Sequence, residues 1–143
     1  MSIEFDENFA RECVKLDNTN LQGEFIRYTG DLSFWGTKLA FAKQTEALAK
    51  LAKEVMAADL DTLAREALAG DKKPTEATVS AWITRHPSMQ DAEKAMIAAT
   101  FEVDRVRAVW EALRAKRDML VGLGAQQRAE MQQEPVVKDN YEF

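Results

Sequence analysis

Three basic side chains crowd together at Arg114, Lys116 and Arg117, and two more stand side by side at Lys72 and Lys73. Clustered cations are phosphate-binding chemistry, because each ammonium or guanidinium that meets a phosphate releases a condensed counterion. Glu111 and Asp118 flank the first cluster at helical spacing and pair equally well with its cations on an ordinary solvated face. Lys72 and Lys73 sit in a turn just ahead of a helix start, where backbone amides add to the ammonium charge. Asp71 and Glu76 beside them fit a plain solvated turn as well. Tyr28, Trp35 and Trp110 carry flat rings of the kind that stack on bases. Their helical spacing marks them first as packing residues.

Catalytic arrangements are missing. No Gly-x-x-x-x-Gly-Lys-Ser/Thr phosphate loop occurs. The one histidine, His86, precedes Pro87 at a helix boundary, and one His with one Cys assembles neither a zinc site nor a Cys–His pair. Asp59 and Asp61, like Glu102 and Asp104, lie two apart, which on a helix turns them to different faces. The expectation is a protein that is not an enzyme and that needs neither metal nor cofactor.

The elements that must hold these residues are helices. From Ser88 to Arg128 apolar residues recur at Ala92, Met96, Ala99, Val103, Val106, Trp110 and Leu113, in alternating steps of four and three. The pattern passes through Arg117 to Leu120, which is a heptad rhythm. Ser88 is placed to cap this helix. A second long helix follows Asp17-Asn18-Thr19-Asn20, with Thr19 and Gln22 at capping-box spacing. Its seam is Leu21, Phe25, Tyr28, Leu32, Trp35, Leu39 and Ala42, drifting on through Leu48, Ala52 and Val55, with weak points at Gly23, Gly30 and Gly36. A kink or restart is expected at Asp59 and Asp61, and a stop at Gly70. A short helix capped by Thr75 ends at His86-Pro87.

The fold expected is therefore all-α, a long antiparallel hairpin with a short connecting helix. Residues 1–16 form an arm or short helix, 17–130 the helical domain, and 131–143 an acidic flexible tail. Phe34, Phe41, Phe101 and Met119 fall off the main seams, so the hairpin is expected to find partners as a homo-oligomer. Tyr28, Leu32, Trp35, Val103, Val106, Trp110 and Leu113 are its expected oligomer core.

Composition agrees with that picture. The chain is 46% hydrophobic with three Pro and six Gly, and no apolar run reaches the length of a membrane span. A lone Cys13 suits a reducing cytoplasm, and the acidic N-terminal residues lack the order of a signal peptide. The net charge of −5 opposes nucleic-acid binding at first sight. Yet residues 1–20 carry two basic and five acidic side chains and residues 129–143 one and four, so the body between them is close to neutral.

Leu21-Gln22-x-Glu24, Tyr28, Trp35, the Gly70-Asp71 loop, Thr75-Glu76-Ala77 and the stretch from Ala112 to Leu120 follow one another in an order that resembles the UvsY-like recombination mediators of tailed bacteriophages. The resemblance covers about residues 17–130. It implies a non-enzymatic, ring-like homo-oligomer in the cytoplasm of an infected bacterium. Such a protein binds single-stranded DNA and helps load the phage recombinase onto strands covered by single-stranded-DNA-binding protein. The family's Lys-x-Arg pair before the loop is not matched, since Ala58 and Leu60 stand there. The basic groups left to meet DNA are Arg65, Lys72 and Lys73, with Arg114 and Lys116 in the late helix. The alternative is a helical structural or adaptor protein that oligomerises and binds only proteins, which the acidic balance favours. A weaker third is an inhibitor acting through the tail.

Overall fold

The computed structural model describes residues 4–133, and these residues form four helices with no strand among them. Helix α1 spans Glu7–Val14, α2 Leu21–Ala67, α3 Glu76–Arg85 and α4 Pro87–Gln133. The all-helical class is as expected. No helix among the described residues is long and apolar enough to cross a membrane.

Local chemistry sets each boundary. The Asp6 carboxylate accepts from the backbone N–H groups of Asn8 and Phe9 and starts α1. Asn20, not Thr19, caps α2: its Oδ1 accepts from Gly23 N–H at 3.1 Å. Thr19 is turned to Asp17, donating both its N–H and its hydroxyl to one carboxylate oxygen. Those two bonds, the hydroxyl's first, hold the Asp17 carboxyl below its ordinary value of 3.8. Thr75 caps α3 through its hydroxyl. Helix α4 opens on Pro87, where a missing N–H costs nothing, and His86 does the capping expected of Ser88: its Nδ1 accepts from Ser88 N–H at 3.2 Å.

Helices α2 and α4 have 47 residues each, about 70 Å of rise apiece. The kink or restart expected at Asp59 and Asp61 does not occur. Helix α2 passes Asp59 and Asp61 unbroken and stops at Ala67 rather than Gly70. Helix α4 continues through Gly122 and Gly124 and includes residues 131–133, which the sequence placed in a tail. The rest of that tail, 134–143, lies outside the described residues.

Contacts divide the chain into two units, Met1–Phe34 with Val109–Phe143, and Trp35–Ala108. In the first, Ala10 and Cys13 of α1 are buried with Leu113 and Leu120 of α4. The Phe25 ring lies beside Gly124, while Tyr28 and Leu32 share a cleft with Trp110 and Arg114, so the two helix segments run in opposite directions here. Phe9 meets Phe34 edge to face, with centroids 5.5 Å apart.

In the second unit the buried stripe of α2 begins at Trp35, Leu39 and Ala42 and ends at Leu60 and Ala64. Between them the positions that face inward are Glu46, Ala49, Lys53 and Met56, all half-buried. Lys53 there meets Glu93 of α4 at 2.8 Å. The seam therefore does not drift through Leu48, Ala52 and Val55, which are exposed. Strict four-three stepping keeps to the inward line even where that line is polar, and an apolar residue one step away falls about 100° off it. Val79 of α3 and Met89, Ala99, Val103 and Val106 of α4 complete this core.

A Cβ at Gly30 or Gly122 meets nothing within 4 Å. Gly30→Ala and Gly122→Ala each raise stability by about 0.5–1 kcal/mol, read as a higher midpoint in thermal or urea melts. For Asp17, an NMR carboxyl titration gives a midpoint below 3.8, and Thr19→Val moves it upward. A depressed carboxyl stabilises the fold above its unfolded value, so this contribution fades as the pH falls through the folded midpoint.

Candidate nucleic-acid interface

Helix α4 carries Trp110, Arg114 and Arg117 on successive turns, and α2 brings Tyr28 and Leu32 against them. Together with Ala115 and Asp118 they line a cleft of about 420 Å³. The Arg114 guanidinium lies over the Trp110 ring, with Cζ 4.9 Å from its centroid. That contact holds the long side chain at the cleft while leaving it exposed. The Tyr28 hydroxyl oxygen is buried and has no hydrogen-bond partner. An unsatisfied buried hydroxyl costs about 1–3 kcal/mol. Two guanidiniums and two aromatic rings, with the Asp118 carboxylate beside them, make a cleft suited to an anionic ligand with flat groups, which is the chemistry of a nucleotide strand.

Lys116 is not part of that cleft. It is 3% exposed, and its ammonium meets the Glu24 carboxylate, itself 1% exposed, and donates to the Cys13 carbonyl at 2.9 Å. The other Glu24 oxygen takes the Arg27 guanidinium. Expected as a phosphate contact, Lys116 is instead an internal cation that ties α1, α2 and α4 together. The heptad step assigned to Arg117 falls on Lys116, and Arg117 faces out.

Arg65 is also committed elsewhere. Its Nε donates to Asp61 at 3.0 Å and its Nη2 to Glu76 at 3.0 Å, bridging α2 to the start of α3. These carboxylates, Asp61 first, raise its pKa above the ordinary value. They also leave the cluster with a net negative charge, which repels phosphate. Lys72 and Lys73 are exposed in the connection between α2 and α3. Of the five basic residues read as a DNA site, Arg114 alone lies in the cleft.

The expected oligomer core divides likewise. Trp35, Val103, Val106 and Leu113 are 0–2% exposed within this one chain and are its own core. Tyr28, Leu32 and Trp110 are half-buried and line the cleft. Sequence reasoning put Arg117 on the helix seam rather than in the cleft and missed Glu24 as a buried anion. Both lie among charged neighbours, and helical periodicity alone does not tell which neighbour turns inward.

A second depression of about 380 Å³ lies in the Trp35–Ala108 unit, lined by Trp82, Arg85 and His86 among others. The Trp82 and His86 rings there are 5.2 Å apart, and only one guanidinium is present.

No protein-family model, curated protein or solved structure matches the chain.

Lys116→Met removes the ammonium while keeping most of the side chain's bulk. It leaves the buried Glu24 without its buried counter-charge and the Cys13 carbonyl without a donor. The expected loss is about 3–5 kcal/mol in a urea melt, with the Cys13 thiol becoming accessible to thiol reagents. Glu24→Leu combined with Lys116→Met recovers most of the stability, because no unpaired charge then remains buried.

Proposed function

We propose that this chain is a recombination mediator of the UvsY-like kind. It binds single-stranded DNA as a homo-oligomer and assists loading of a phage recombinase onto strands held by single-stranded-DNA-binding protein. The observation that carries the reading is the cleft of Arg114, Arg117, Trp110 and Tyr28, the chain's one meeting of two guanidiniums with aromatic rings among the described clefts. One such cleft holds a strand weakly. Copies arranged in a ring, each presenting the same cleft, multiply the contacts along a continuous strand. Recognition through guanidiniums and ring faces needs no particular base sequence. Lys72 and Lys73 add two exposed cations for the phosphate backbone.

The second reading is a helical adaptor that oligomerises and binds only proteins. The burial of Lys116 and the pairing of Arg65 favour it, since both withdraw cations from the surface.

Fluorescence anisotropy of a labelled single-stranded oligonucleotide decides between them. The mediator binds it at low salt and releases it at high salt. The double variant Arg114→Glu/Arg117→Glu, still helical by circular dichroism, loses at least tenfold in affinity, and each lost phosphate contact lowers the salt slope by about 0.7. An assembled protein that leaves the anisotropy unchanged even at low salt is the adaptor.

A further inference from the structure

The cleft of the first unit carries charge that the fold leaves unneutralised. Arg27, Arg65, Arg105 and Arg107 each meet a carboxylate of the chain. Arg114 and Arg117 form no ion pair with a described residue, and Arg114 lies instead over the Trp110 ring. Two guanidiniums against the one carboxylate of Asp118 leave the cleft walls at a net +1. Helix α4 runs on to Gln133, and the sequence beyond it is Glu134-Pro135-Val136-Val137-Lys138-Asp139-Asn140-Tyr141-Glu142-Phe143. Three acidic side chains against one lysine give this segment a net −2, and the rings of Tyr141 and Phe143 flank its last acidic side chain. A strand would bring the cleft anions and flat rings. So does this segment.

We propose that residues 134–143 turn back along α4 and occupy this cleft, so that the chain's own acidic segment competes with the strand. Charge and length select the occupant. Arg117 lies 16 residues before Gln133 and Arg114 19 residues before it, about 24 and 29 Å back along the helix. With two residues taken up by the reversal, where Pro135 does not continue a helix, eight extended residues span about 26–29 Å. That brings Glu142 level with Arg117, and Phe143 level with Arg114 and the ring it covers. A tethered segment is present at a high effective concentration, so even a weak contact keeps the cleft filled. A short anion is then excluded, while a strand that engages several clefts at once displaces the segments together. The inference rests on the reading above for the strand and names the regulation of that same site. Occupancy of the cleft by the segment needs no strand.

Modification of the full chain's arginines by phenylglyoxal at low salt, mapped by peptide mass spectrometry, tests it. Arg114 and Arg117 react several-fold more slowly in the wild type than in Glu134→Gln/Asp139→Asn/Glu142→Gln. Arg85, exposed in the other unit, reacts equally in both and serves as the control. Tyr141→Ala/Phe143→Ala also uncovers both arginines. That variant keeps every charge, so it separates occupancy of the cleft from charge alone. Equal rates at Arg114 and Arg117 in the wild type and both variants overturn the proposal. Protection that vanishes on dilution overturns it too, since the segment of a second copy then fills the cleft. Strand anisotropy on the same proteins separates the two readings, the charge-neutralised variant binding the labelled oligonucleotide about tenfold more tightly than the wild type. Protected arginines with no strand affinity in any variant sink the mediator alone. Strand binding with unprotected arginines sinks this occupancy alone.

Discussion

The buried ion pair of Lys116 and Glu24 is the contact on which the first unit depends. An ammonium and a carboxylate removed from water each cost several kcal/mol, and the cost is offset only when both are paired and their remaining bonding capacity is filled. Here the filling group is a backbone carbonyl, that of Cys13, which α1 supplies. Docking of an eight-residue helix, too short to be stable alone, is thereby coupled to the neutralisation of a charge that would otherwise be stranded. The α1 helix is held by polar geometry as much as by Ala10 and the edge of Phe9. The same arrangement turns Lys116 away from the surface and leaves Arg114 and Arg117 to face the cleft.

The middle of α2 applies the opposite logic. Its inward line is Glu46, Ala49, Lys53 and Met56, two of them charged and one small, while its outward line is Phe41, Leu48, Leu51 and Val55. Inside the unit this stretch buries little apolar surface beyond Met56 and carries the half-exposed ion pair of Lys53 with Glu93. The larger apolar side chains of this stretch are turned outward.

Helix existence was legible in the sequence because caps and breakers are local. Asp17 to Asn20, Thr75 and His86-Pro87 mark the starts and stops, and the structure moves each by one or two residues at most. Facing was harder. Between Ala42 and Leu60 the strongest apolar residues lie on the outward line, so a reading that follows hydrophobicity leaves the buried stripe. Between Leu113 and Leu120 both candidate positions are cations, Lys116 and Arg117, and periodicity allows steps of three or four equally. What decides is Glu24, 92 positions earlier on another helix, and no local pattern carries that information. The cleft was legible in its parts, Tyr28, Trp110 and Arg114, but their meeting is a tertiary fact.

The bond from Lys116 to Cys13 joins residues 103 positions apart. Loops of that size close slowly, so contacts of this kind form late in folding. On the ribosome the consequence is a matter of order. Helix α1 leaves the exit tunnel ahead of α2 and α4, yet its anchoring donor is made 103 positions after Cys13. For most of translation the Cys13 thiol and the Glu24 carboxylate remain open to solvent and to chaperones. A helix made before α2 and α4 is thus secured after them, and its closure reports that most of α4 has been delivered.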